Sequence, residues 1–76
     1  RILSDYMLQS IRRRLGDAGY ARRGQIERAR CVRELLPHLN PLIDAIAARA
    51  DATAGAEFAD TAAFILSSLA QEAAAD

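Results

Sequence analysis

Lysine and tryptophan are absent from this chain, cysteine and histidine occur once each, and two prolines and four glycines are all that interrupt its 76 residues. Each scarcity excludes something. A lone cysteine, Cys31, cannot form an internal disulfide, and with His38 as the single histidine there are too few nitrogen and sulfur ligands for a structural zinc site. A thiol and an imidazole working as nucleophile and base need contact within about 3 Å and a third group to orient them. No spacing in the sequence joins these two, so Cys31 reads as a tolerated helical residue and His38 as a solvated turn residue. Valine occurs once and threonine twice, which leaves little of the β-branched material that strands prefer beyond isoleucine. No apolar run nears the roughly 20 residues that span a bilayer, and no charged-then-apolar leader opens the chain. The expectation is a soluble, cytoplasmic protein with no membrane contact. The chain opens at Arg1 rather than at methionine, which points to a piece of something longer.

What is present is alanine, the best helix former, together with apolar residues at helical spacing. The sequence predicts an all-α fold over residues 1–76 as one helical domain, either a small four-helix bundle or two stacked helical hairpins. The first helix is expected from Ser4, an N-cap residue, to Leu15, with Leu3, Met7, Leu8 and Ile11 on one face. Gly16 either ends it or is passed through by a longer helix reaching Arg22. A second helix is expected over 25–36, with Ile26, Ala29, Val32, Leu35 and Leu36 inward. Pro37 would stop it, and Asn40-Pro41 would start a third over 41–53 as N-cap and first helical residue. The third carries Leu42, Ile43, Ile46, Ala47 and Ala50 and fades before Gly55. The fourth, over 57–73, carries Phe58, Ala62, Ile65, Leu66 and Leu69. A core of this size supplies only about 3–5 kcal/mol, so reinforcement by association is expected.

The formal net charge is zero, yet residues 1–33 hold nine arginines and three acids, while 34–76 hold one arginine and seven acids. If the two halves lie against each other, these charges would complement one another across helices or between subunits. Alternatively Arg12, Arg13, Arg14, Arg22, Arg23, Arg28, Arg30 and Arg33 would form a basic face for phosphate or an acidic partner. The arginine triplet at 12–14 is also what the C-terminal turn of a helix favours.

No catalytic group, cofactor site or small-molecule site is expected. Asp44, Asp51, Glu57, Asp60 and Glu72 fall on polar faces, and Gly16, Gly19 and Gly24 fit no phosphate-cradling loop. Phe64 is the residue out of place: at 100° per residue it lies away from the stripe of Phe58, Ile65 and Leu69, among Asp60, Thr61, Ser67 and Ser68. It is either part of a contact with a second chain or core on a helix buried on two sides. Ile2 and Tyr6, beside Arg13 on the back of the first helix, would extend the same patch.

From Leu15 to Pro41 the residues Leu15-Gly16, Tyr20, Gly24, Ile26, Ala29 and Asn40-Pro41 partly resemble the tetratricopeptide repeat. Gly16 and Gly24 stand eight apart where that repeat has seven, and residues 42–76 hold no second copy. The resemblance implies a helical hairpin and protein binding. The functional expectation is therefore a protein–protein docking, adaptor or oligomerisation module, a homodimer among its options, acting through Phe64, Tyr6, Ile2 and Arg13. The alternative is a small nucleic-acid-binding regulator using the arginine-rich half.

Overall fold

The structure is a computed structural model that describes the backbone of residues 1–75 and the side chains of 1–72. The fold is all-α, with no strand among the described residues. Helix α1 spans Ile2–Arg14, a 3-10 turn covers Gly16–Gly19, and α2 spans Tyr20–Glu27. Helix α3 is the single turn Val32–Leu35, and a second 3-10 turn at Leu36–His38 leads into α4, Leu39–Arg49. The last described element is α5, Ala52–Ala75, much the longest.

Helix α1 begins earlier than the sequence suggested. Arg1, not Ser4, is the N-cap, and the Ser4 hydroxyl donates back to the Arg1 carbonyl at 2.9 Å. The earlier start lets Leu3 join Met7 and Ile11 in a stripe that is wholly buried. Of the two readings of residues 16–22, the turn is the one adopted. Gly16 takes φ +55°, a left-handed conformation that costs other residues roughly 1–2 kcal/mol, so α1 stops there and the chain folds back.

The expected helix over 25–36 does not exist as one element. Helix α2 closes at Glu27, and Cys31 takes extended geometry (φ −152°, ψ 168°) before α3 begins. The reason lies in the core. Ile26 and Leu35 stand nine residues apart, which puts them on opposite sides of a continuous helix. Both are buried here, because the break at 28–31 turns the chain between them. The same rotation sends Leu36, expected inside, to 45% exposure. The hairpin implied by the tetratricopeptide resemblance is likewise not formed, since 15–41 holds two turns of helix and then single turns.

The α-helix does stop before Pro37, at Leu35, but Asn40-Pro41 does not open the next one. Pro37 sits in the first positions of the 3-10 turn, and Pro41 is the third residue of α4. An N–H in that first turn has no acceptor within its own helix, so proline removes nothing there, and α4 starts at Leu39 instead of at Asn40-Pro41.

Helix α4 ends at Arg49, short of the expected residue 53, because Asp51 starts the next helix. Its carbonyl accepts from Gly55 N at 3.2 Å and its Oδ1 accepts from Ala54 N at 2.7 Å, the pattern of an N-cap. Helix α5 therefore begins five residues before position 57 and takes Gly55 into its first turns. A Cβ on Gly55 would stand 2.9 Å from the Ala47 Cβ and 3.1 Å from the Ile43 carbonyl oxygen. The missing side chain is what lets α4 and α5 lie this close.

Leu42 and Ile46 of α4, Phe58, Ala54 and Ala62 of α5 and the α1 stripe close one core with Ile26 and Leu35. The 24 residues of α5 rise about 36 Å, whereas the 13 of α1 rise about 20 Å and the 11 of α4 about 17 Å. The shorter helices cannot cover all of α5. Beyond Ala62, no described side chain of α5 is fully buried, and Ile65, Leu66 and Leu69 are covered only in part.

Alanine is a better helix former than glycine by about 1 kcal/mol, so propensity alone predicts that Gly55→Ala stabilises. Close packing reverses the sign, with an expected net loss of about 1–2 kcal/mol in urea denaturation. A gain in stability would contradict the close contact of α4 and α5.

Candidate functional site

Helices α1 and α5 meet where Tyr6, Ser10, Arg13 and Arg14 of the one and Ala54, Glu57, Phe58 and Thr61 of the other line a common groove. The Tyr6 ring stacks on that of Phe58, with centroids 5.5 Å apart and planes at 12°. Phe58 is 3% exposed and Tyr6 half-buried, so Tyr6 closes the core from the side on which the sequence placed solvent. Between the helices lies a groove of about 120 Å³, lined by Tyr6, Ser10, Arg13, Arg14, Glu57 and Thr61 among others. Ser10, at 8% exposure, is the one buried polar side chain among the described residues. A space of this size holds water or a small ion rather than a substrate.

Phe64 continues this flank. Glu57, Thr61, Phe64 and Ser68 fall at i, i+4, i+7 and i+11, one helical stripe, and the first two line the groove. Phe64 is 72% exposed. On α1, Ile2 stands four residues before Tyr6 on the same face and is 62% exposed. Polar groups, Arg13, Arg14 and Glu57, line the groove, while Ile2 and Phe64 are the exposed large apolar side chains of α1 and α5.

The arginines do not serve the role of cross-bundle partners. The two ion pairs among the described residues, Arg1–Asp5 at 3.8 Å and Arg23–Glu27 at 3.9 Å, are each one helical turn long. None joins the basic half to the acidic half. Glu34 accepts from the Arg30 backbone N–H at 2.8 Å. The guanidinium of Arg22 lies 3.0 Å from His38 Nδ1, and that of Arg23 lies 5.4 Å from the Tyr20 ring centre. Arg12, Arg13, Arg14, Arg28, Arg30 and Arg33 are exposed and are split between α1 and the segment 28–33.

His38 is half-buried and held by Arg22, not a solvated turn residue, and Cys31 is an exposed free thiol at the start of α3. Sequence spacing could not show the Tyr6–Phe58 stack, because Tyr6 lies beside the Leu3–Met7–Ile11 stripe rather than within it. The one available signal was the size of its ring on a helix too short to bury a narrow stripe alone. Comparisons with known protein families, with curated proteins and with solved structures found no match, so the site rests on its own geometry.

Exposure separates the two phenylalanines of α5. Phe64→Glu should change unfolding free energy by no more than about 0.5 kcal/mol, whereas Phe58→Ala should cost about 3–5 kcal/mol. Urea denaturation at low protein concentration measures both. A loss for Phe64→Glu as large as that for Phe58→Ala would make Phe64 part of the core.

Proposed function

We propose that this chain is a protein–protein association module that works through the α1–α5 flank, with Phe64 as its anchor. The observation that carries the proposal is the exposure of Phe64, a large aromatic on the same helical stripe as Glu57 and Thr61 of the groove. A solvent-facing aromatic gains nothing from the monomer's core, and aromatics concentrate at the centres of interfaces, where their burial contributes most. Tyr6 and Arg13 support it from α1: Tyr6 holds the flank rigid by stacking on Phe58, and Arg13 supplies charge at its rim. Docking, adaptor and oligomerisation roles all use such a surface and need no catalytic group or cofactor. No helix among the described residues is long and apolar enough to cross a membrane. An exposed free thiol at Cys31 suits the reducing cytoplasm, where the proposal puts the module.

A second reading, contact with nucleic acid or another polyanion, draws on Arg12, Arg14, Arg28, Arg30 and Arg33, which are exposed and have no ion pair among the described residues. It ranks lower because Arg22 and Arg23 are engaged within the fold and the formal net charge is zero.

Replacing Phe64 by a benzophenone amino acid keeps an aromatic in place and makes it photoreactive. Irradiation in cells should give a discrete cross-linked adduct from position 64 and none from the same group at Ala48, an exposed residue of α4 away from this flank. No adduct at position 64, or equal labelling at both, would overturn the proposal.

A further inference from the structure

We infer that the outer face of α2 is a binding site for single-stranded nucleic acid, with one base stacked on Tyr20 and the adjoining phosphates held by Arg23 and Arg28. The inference goes beyond both readings above, neither of which uses Tyr20, and this face shares no residue with the α1–α5 groove. Tyr20, Arg23, Gly24, Glu27 and Arg28 recur at i, i+3, i+4, i+7 and i+8, which is one side of a helix, and together they line a hollow of about 520 Å³. That side carries no part of the core. Ile26 is the buried residue of α2, whereas Tyr20 is 71% exposed, as open as Phe64.

The groups around the ring say what it suits. The Arg23 guanidinium lies 5.4 Å from the centre of the Tyr20 ring. Gly24 leaves open the space that the Arg28 guanidinium borders: a Cβ added at Gly24 would stand 3.4 Å from Arg28 Nη1. Arg28 is thus laid back along the helix toward Tyr20, and it forms no ion pair among the described residues. Residues 20–33 hold five arginines against one acid, Glu27, and that carboxylate is itself partly neutralised by Arg23 at 3.9 Å. Both ties of Arg23, to Tyr20 and to Glu27, stay within α2, so they hold its guanidinium beside the ring without withdrawing it from the surface.

Charge and ring together select the occupant. An acidic polypeptide would satisfy the arginines and leave the ring uncovered, whereas a nucleotide strand brings an anion for each guanidinium and a flat base for the ring. A duplex keeps its bases stacked on one another, so only an unpaired strand offers a base face to an aromatic on a helix surface.

The chain has no tryptophan, so Tyr20→Trp creates a single fluorescent reporter at the stack. Titration of that variant at low salt with oligothymidylate and with oligouridylate should quench its emission, whereas Phe64→Trp should not respond, and circular dichroism checks that both are folded. By anisotropy of the labelled strands, Tyr20→Ala should weaken binding about tenfold and Tyr20→Phe should keep it, while Arg28→Gln should lower the slope of log K against log salt by about 0.7. A Tyr20→Trp signal that neither strand quenches, or equal quenching at position 64, would overturn the site. Displacement of the strands by poly-glutamate at matched charge would overturn it as well, by making α2 a docking face for an acidic protein.

Discussion

The close approach of α4 and α5 at Gly55 is the contact on which the remaining geometry depends. Asp51 sets where α5 begins by accepting from Ala54, and Gly55, one turn later, lets the helix lie against Ala47 and Ile43. Once α5 is seated, its circumference is divided. One flank, marked by Gly55, meets α4, and a second, marked by Phe58 and Thr61, meets α1. What remains is the strip bearing Asp60 and Phe64. A residue of extra bulk at position 55 would shift the whole helix, and with it the relation of Tyr6 to Phe58 and of Arg13 to Glu57.

Length then determines what is left uncovered. Helix α5 outruns both of its neighbours, so its later turns carry Ile65, Leu66 and Leu69 with only partial cover and Phe64 with almost none. A helix that needed only to complete this core could have ended soon after Ala62. The further turns add apolar surface without adding buried residues, and that is reasonable if a second surface supplies the missing cover. The charge distribution points the same way. Among the described residues the basic and acidic halves form no ion pair with each other, since both ion pairs are local. Complementary charge that is unused inside a molecule is available between molecules.

Much of this was legible in the residues. Alanine content and helical spacing fixed the fold class, and the 100° rule set Phe64 apart from the stripe of Phe58 and Leu69. The errors came where the core overrode local rules. A helix over 25–36 breaks no propensity, but it cannot bury both Ile26 and Leu35, and only the packed core reveals that demand. Pro37 does follow the end of an α-helix, but Asn40-Pro41 only looks like a boundary signal: proline is harmless in a first helical turn, so α4 starts before it. Gly55 reads as a helix breaker until Ala47 is known to stand against it. Tyr6, beside the α1 stripe, gives no sign in sequence that it reaches Phe58, 52 residues away. The site residues Ile2, Tyr6, Arg13 and Phe64 could be selected one at a time, but the groove that Tyr6 and Arg13 share with Glu57 and Thr61 needed the packing of α1 on α5.

The most direct measurement of the central claim is a dilution series of amide ¹H–¹⁵N spectra, in buffer and in nuclease-treated cell extract, which locates an association surface residue by residue. The account predicts shifts on association confined to α1 and α5, around Ile2, Tyr6, Arg13 and Phe64, with α2 and α3 unmoved. Shifts centred instead on Tyr20 and Leu36, the other exposed large apolar side chains, would contradict it, as would spectra that change in neither medium.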